Sequence, residues 1–476
     1  MNDVIIIGAG VNGCFLARDL SKYKLNILVL EKGDDVASGA TMANSAIIHS
    51  GYDPVVGTNK AYFNVKGNAM YDQICKDLDV PFYRIGSLTL AFSLEEFETL
   101  KELQIRGKEN GVETILLTKE EVLELEPLIS KEVVGALKAP TAGIINPFEL
   151  CAHLMENACD NGVKINLNEE VIDIKKTDYG YLVITPKGRY ETKVVINACG
   201  VHTGEITSLI EKIDYESEPR KGEYFVLHHF DNKFLNHTLF TLPTKKGKGV
   251  LISPTTSWNY LVGPSSEPSE GEDTSTDSLT LNRVLEQALR MMPTLPIGEN
   301  IRVFSGVRPT ASKHDFIIRE SETNPLFFEL AGVESPGLAS APAISSYVVS
   351  LLSKRINLIE KESYSLTIKP YVRMKSLSLE ERNKLIKEKP LYGRIVCRCE
   401  QISEQEIRDL FTRSFVPTSV KAIKKRVRAG FGKCQGGMCQ PLVVKILIDE
   451  LKLDPLKVRY DGNSSEILKY DLKEDR

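Results

Sequence analysis

No run of eighteen or more apolar residues occurs in this 476-residue chain, so no helix is expected to span a bilayer. Charge of one sign is not in excess either: 60 Lys and Arg against 64 Asp and Glu leave a net −4, and nothing global suggests nucleic acid as a partner. Internal repeats and low-complexity tracts are missing. The first apolar run, Val4–Ile7, follows acidic Asp3 and leads straight into glycines, so it reads as a strand and not as a signal peptide. What remains is the composition of a soluble globular protein, 42% hydrophobic and 26% charged. It is too long for one core, and two to four domains are expected.

Cysteine is unevenly spread. Cys14, Cys75, Cys151, Cys159 and Cys199 are scattered among helix and strand patterns and read as buried, reduced thiols of a cytoplasmic protein. Cys397, Cys399, Cys434 and Cys439 instead form C-x-C and C-x4-C pairs in a short glycine-rich, basic segment. Thiolates this close in sequence are poor disulfide partners and good ligands for a soft metal centre. An iron–sulfur cluster and a structural four-cysteine zinc site both use such a set. The C-x-C pair is unusual for zinc ribbons, which favour C-x2-C. A basic run, Lys421 to Arg428, reads equally as a solvated face or as a docking surface.

The chain opens as strand, glycine turn, helix and strand: Val4–Ile7, Gly8-Ala9-Gly10-Val11-Asn12-Gly13, Cys14–Lys22 and Asn26–Leu30, then Glu31. This order is a βαβ dinucleotide-binding unit, with its acidic residue about twenty residues beyond the glycines. Gly8 permits the tight turn, Gly10 lets backbone amides approach a pyrophosphate, and Gly13 allows close packing of helix on sheet. The helix N-terminus presents its positive end to phosphate, and Glu31 is placed to accept hydrogen bonds from ribose hydroxyls. Val194–Ile196 leading into Asn197-Ala198-Cys199-Gly200 reads as another piece of this sheet. So does Leu326–Leu330, followed by Ser335-Pro336-Gly337-Leu338 and a helix to about Leu352. At Gly200 and Gly337 ordinary turn chemistry is the competing reading.

The intervening segments differ in character. An alternating strand at Gly86–Phe92, charged helices at 93–107 and 118–125, extended pieces at Tyr224–His228, Val250–Pro254 and Tyr260–Val262, and an amphipathic helix ending near Met292 suggest an inserted domain. The expected architecture is α/β (α+β overall): a Rossmann-like nucleotide-binding domain from 1–80, 137–214 and 306–365. An antiparallel-sheet substrate domain is expected from 81–136 and 215–305. A linker at 366–390 and a small metal-binding domain at 391–460 complete it.

The glycine turn, followed by Ser38-Gly39-Ala40-Thr41 and Asn44-Ser45-Ala46-Ile47-Ile48-His49-Ser50-Gly51, resembles the D-amino-acid-oxidase superfamily of FAD enzymes. Tyr52-x-Pro54, Lys60-Ala61, Gly222-Glu223-Tyr224 and Ser335-Pro336-Gly337-Leu338 are similar to its L-2-hydroxyglutarate oxidase/dehydrogenase branch. Gly306-Val307-Arg308-Pro309 is similar both to that branch and to the FAD-dependent glycerol-3-phosphate dehydrogenases. The resemblance implies FAD on Gly8, Gly10, Gly13 and Glu31, with Ser38, Thr41, Asn44 and Ser45 lining the flavin side and Ala198, Gly200, Gly337 and Leu338 near the cofactor. It also implies Arg308 over the flavin, fixing an anionic substrate through its guanidinium fork. His49 is the expected base or hydroxyl orienter, against a purely flavin-packing role. Tyr224 and Lys221 are expected to reach the substrate, with a surface or sheet role as the alternative for Lys221. One departure stands out: the glycerol-3-phosphate dehydrogenases commonly carry a lysine in the flavin-adjacent turn, and Val333–Gly337 has none.

Cys397-Arg398-Cys399-Glu400 with Gly432-Lys433-Cys434-Gln435-Gly436-Gly437-Met438-Cys439-Gln440 resembles the bacterioferritin-associated-ferredoxin-like [2Fe-2S] domain. Its fusion to a flavin domain resembles the large subunit of anaerobic glycerol-3-phosphate dehydrogenase. The expectation is an FAD-dependent dehydrogenase of a small anionic secondary alcohol, glycerol 3-phosphate favoured, whose electrons leave through the cluster. L-2-hydroxyglutarate or a related 2-hydroxy acid, an amine or imino acid, and a non-catalytic electron-transfer subunit are the alternatives. A partner subunit or quinone is the expected acceptor. The expected location is cytoplasmic, with any membrane association peripheral, on the inner face.

Overall fold

A computed structural model describes residues 1–230, 233–243 and 249–470. The opening βαβ unit forms as the spacing predicts: strand Asn2–Ile7, helix Val11–Ser21 and strand Ile27–Leu30, the two strands parallel. Strand Arg189–Asn197 pairs in parallel on the other side of Asn2–Ile7, and Phe327–Ala331 pairs in parallel with Arg189–Asn197. The run Val4–Ile7 is buried throughout, as a strand covered on both faces requires. Helices Val11–Ser21, Asn59–Asp77, Pro147–Asp160 and Gly337–Ser353 share the core under this sheet, with Phe15, Tyr71, Leu154 and Ile344 buried in it.

A second sheet of nine strands forms from Ser87–Ala91, Ile115–Thr118, Gly135–Ala139 and the pieces between Arg220 and Arg308. The inserted domain was expected to be antiparallel, and one junction departs from that: Thr238–Phe240 runs parallel to Ser87–Ala91. Strand Asn300–Arg308 belongs wholly to this sheet, paired with Arg220–Leu227 from Arg220↔Arg308 to Tyr224↔Phe304. The expected linker holds a helix, Leu379–Glu388, whose N-terminus Ser378 and Glu381 close reciprocally. Its upstream end is anchored: Arg373 pairs with Asp79 and Glu149 at 2.7 and 2.6 Å.

The C-terminal unit packs its own core from Val396, Ile407, Ile423, Val443 and Leu447. The basic run is neither solvated nor a free docking surface. Helix Val420–Val427 presses it into the first domain, leaving Lys424, Lys425 and Arg426 each 4% exposed. Arg426 grips both oxygens of buried Asp35 at 2.9 Å, and Lys425 lies 3.1 Å from the same carboxylate while donating to the Val36 carbonyl. Burial alone would raise the Asp35 carboxyl; the two cations overcome it and hold it at about 2. No helix among the described residues is long and apolar enough to cross a membrane.

Candidate active site and cluster site

One cavity of about 1550 Å³ runs from the glycine turn past the second sheet to the C-terminal unit. It exceeds the roughly 300–1,000 Å³ of an ordinary small-molecule pocket. At one end, helix Val11–Ser21 starts at Gly10 with no side-chain cap, leaving its positive end open to the cavity. Gly8 and Gly10 border the space, whereas Gly13 does not. Gly13 works beneath: a Cβ there would lie 1.9 Å from the Gly8 carbonyl oxygen, so only glycine lets the helix seat on the turn. Thr41 Oγ1 accepts from Val11 N at 3.0 Å and Glu31 accepts from Ala9 N at 2.6 Å and Gly33 N at 2.7 Å, so both side chains shape the cradle as well as line it. Burial raises the Glu31 carboxyl, opposed by these two amides.

The loop beyond is fixed by its own side chains. Ser38 donates to Asp35 O, and Asn44 donates to the Ala40 and Thr41 carbonyls while accepting from Ala46 N. Ser45 meets the hydroxyl of Tyr224 at 2.9 Å. Tyr224 is stacked on its cross-strand neighbour Phe304, ring centroids 4.7 Å apart. Ala198 and Gly200, at the end of strand Arg189–Asn197, and Gly337 and Leu338, at the start of helix Gly337–Ser353, border the same space. His49 also borders it, its carbonyl held by Asn64 and Asn68 amides and its ring 5.8 Å from Phe240.

Strand alternation decides between the two residues expected from Arg220–Leu227. Arg220, Gly222, Tyr224 and Val226 border the cavity; Lys221 does not. Lys221 is turned to the other face, where its Nζ meets Asp273 at 2.9 Å and Ser275 at 3.3 Å. Lys221 thus has the sheet role that was its alternative reading, and Arg220, one residue earlier, is the basic residue of this strand that borders the cavity. Arg220 and Arg308 lie directly opposite each other and converge on one turn. Arg220 donates to Ser266 Oγ and O, and Arg308 donates to the Ser265 carbonyl at 3.2 Å and reaches Ser266 Oγ at 3.5 Å. Gly222 leaves room for this: a Cβ there would stand 2.7 Å from Arg308 Nη2. The turn that lacks a lysine receives one from elsewhere, since Lys60 reaches Glu334 at 2.6 Å, with both residues bordering the cavity.

Cys397, Cys399, Cys434 and Cys439 come together as two pairs, none of them disulfide-bonded. Cys399 and Cys434 have sulfurs 3.9 Å apart. The Cys439 thiol donates to Cys397, which with the Gly430 and Glu400 amides holds Cys397 down at about 6. The Met438 and Gly436 amides likewise lower Cys434. Main-chain N–H groups aimed at sulfur favour thiolate, the form that binds metal. Gly432 gives the space, because a Cβ there would lie 2.3 Å from Cys399 Cβ. Cys439 opens helix Gln440–Leu451, as expected. The donor chemistry suits a cluster, with one sulfur of each pair, Cys397 and Cys434, pulled toward thiolate and its neighbour, Cys439 or Cys399, pushed the other way.

Comparison with known proteins settles the class. Residues 3–351 match the DAO family, described as FAD dependent oxidoreductase. The chain belongs to the FAD-dependent oxidoreductase family. Residues 395–449 match the BFD-like [2Fe-2S] binding domain, which sets the zinc reading aside. The chain is similar over almost its whole length to a glycerol 3-phosphate dehydrogenase of Caloramator mitchellensis, 45% identical over 471 residues, 98% of each chain. A glycerol 3-phosphate oxidase of Mycoplasma pneumoniae is 35% identical over 366 residues, 74% of this chain and 95% of the relative. A solved structure of an L-alpha-glycerophosphate oxidase from M. pneumoniae with FAD bound superposes with a TM-score of 0.74 at 34% identity, covering 78% of this chain and 99% of that one. The oxidoreductase thus carries FAD in the first domain and a [2Fe-2S] site in the last.

Proposed function

We propose that this chain oxidises the secondary alcohol of glycerol 3-phosphate to dihydroxyacetone phosphate and passes the electrons out through its own [2Fe-2S] site. One observation carries the reading: two guanidinium groups, Arg220 and Arg308, converge at the Ser265–Ser266 turn on the cavity face that also holds Tyr224 and Ser45. Paired arginines suit a dianionic phosphate better than a single carboxylate. The full-length similarity to a glycerol 3-phosphate dehydrogenase supports the same choice.

Bound FAD supplies a two-electron acceptor for the hydride of the carbinol carbon. The chain's residues do the rest. Arg308 and Arg220 hold the phosphate end, Tyr224 is fixed by Ser45 and Phe304 to orient the substrate, and His49 takes the hydroxyl proton from its place on the cavity wall. Cys434 is exposed, which gives an external acceptor access to one ligand of the cluster site. We assign that acceptor as a partner protein or a quinone rather than oxygen, and the location as cytoplasmic or peripheral at the inner membrane face.

The test is anaerobic. Holoenzyme is mixed in turn with glycerol 3-phosphate, L-2-hydroxyglutarate and glycine, and flavin absorbance is followed. Bleaching by glycerol 3-phosphate, with little or none by the others, is expected. Bleaching by L-2-hydroxyglutarate or glycine alone would reject the assignment.

A further inference from the structure

Residues 265–277 leave the second sheet as a polar loop and return to it. Both feet stand on strand Arg220–Leu227. Ser265 N donates to the Glu223 carbonyl and Glu223 N to Ser265 Oγ, while Asp277 N donates to the buried Glu223 carboxylate at 3.0 Å. Glu267 and Pro268 pair with Lys221 and Arg220. The rest of the loop reaches across to the first domain. Beside exposed Gly271, whose φ is +58°, Glu272 meets Lys32 Nζ at 2.9 Å through one carboxylate oxygen and His202 Nε2 at 2.9 Å through the other. His202 Nδ1 lies 2.7 Å from Glu205. Lys32 follows Glu31 at the end of strand Ile27–Leu30, where a βαβ unit receives the adenosine ribose. Glu272, Thr274 and Thr276 border the cavity together with Glu31, Lys32 and His202.

One exposed ion pair holds a loop weakly, but a network that shares a carboxylate does better. We propose that residues 265–277 are a strap which the substrate domain lays over the adenosine end of FAD, latched by Glu272 on Lys32 and His202, and that this latch slows loss of the cofactor. The inference uses the FAD assignment and is independent of which alcohol is oxidised. The latch depends on a proton. Carboxylates on both ring nitrogens need an N–H at each, which is the imidazolium. A neutral His202 that keeps its Nδ1 proton for Glu205 offers Nε2 as an acceptor to Lys32, 2.8 Å away, and turns a lone pair on Glu272. Three charged groups face the ring: Glu205 from its own helix, Lys32 from the end of strand Ile27–Leu30, and Glu272 from the strap. The Glu272 carboxylate, and then Glu205, raise the His202 pKa against burial and the Lys32 charge. With the value raised in the latched form, the latch is complete below the ordinary histidine value of about 6.5 and is lost as pH climbs through the raised one.

The experiment uses FAD-loaded full-length enzyme as wild type, Glu272→Gln and His202→Gln. Glu272 stands on an exposed loop, so folding is not at stake there. Loss of FAD after large dilution is followed by the fluorescence of the free flavin, at about pH 6 and at about pH 9. The wild type is expected to release FAD about fivefold faster at the higher pH. Both variants should already release it about fivefold faster than wild type at the lower pH, with little further change on raising it. Wild-type release rates in both variants would overturn the proposal. So would faster release that keeps the full wild-type pH dependence, which would place the proton elsewhere than on His202. Faster release by His202→Gln beside an unchanged Glu272→Gln would overturn it too, because His202 would then hold the cofactor without the strap.

Discussion

The glycine cradle at the start of the chain and the lysine-rich seam near its end both manage charge away from bulk water, and they do so in opposite ways. The cradle uses main chain: an uncapped helix end at Gly10, and a Glu31 carboxylate that fastens Ala9 and Gly33 amides so the turn keeps its shape. The seam uses long side chains drawn from a different domain, buried against Asp35 and Phe431. A main-chain cradle is local and holds its form without help from afar. A seam of buried cations is held only while the two domains stay docked, so its strength is tied to the ion pairs that dock them.

The contrast can be broken most severely at Asp35. Replacing Asp35 by Asn leaves Arg426 and Lys425 buried without their carboxylate, and breaking such a buried pair typically costs about 3–5 kcal/mol. Thermal unfolding of the holo-protein is expected to show an early transition from the C-terminal domain; an unchanged profile would mean that the docking contacts lie elsewhere. Next in size is Gly13→Ala, where the new methyl would collide with the Gly8 carbonyl. Overpacking of about 1–3 kcal/mol is expected, together with a loss of bound FAD that absorbance reports.

Acid should separate the two regions by degrees. The Asp35 carboxyl is depressed in the folded protein, so its stabilisation is complete above its unfolded value of about 3.9 and is lost as pH falls toward about 2. Docking, followed by fluorescence, should loosen across that window. Glu31 has the opposite sign: burial raises its folded carboxyl, so protonation there does not undermine the fold in the same way. The smallest effect is expected at Lys221. Its Asp273 pairing lies away from the cavity, and Lys221→Gln should change KM less than twofold and stability by less than about 0.5 kcal/mol. A tenfold KM change would return Lys221 to the substrate.

What could be read in the residues follows the same division. The βαβ start, the turns at Ala198 and Gly337 and the four cysteines are local patterns, and their positions follow from spacing alone. Between the two readings of Lys221 a local rule would have served: counting back by twos from Tyr224 reaches Arg220, not Lys221. The seam had no such signal. Lys424, Lys425 and Arg426 look in sequence like any solvated basic face, and only the folding of residues nearly four hundred positions apart buries Lys425 and Arg426 on Asp35. Lys60 supplying the lysine that the Val333–Gly337 turn lacks is of the same kind, since its partner Glu334 is 274 positions away. Aromatic contacts across the domains are equally silent: Phe148 and Phe431 stack at 5.9 Å between the flavin-binding domain and the cysteine loop.

Reduction by substrate, followed to the cluster, tests the central claim most directly. Holoenzyme is mixed anaerobically with one equivalent of glycerol 3-phosphate and freeze-quenched, beside Cys397→Ser. The wild type should bleach its flavin and then develop the EPR signal of a reduced [2Fe-2S] centre, while Cys397→Ser bleaches without the signal. A flavin that is reduced while an intact cluster stays oxidised would contradict electron exit through the C-terminal domain.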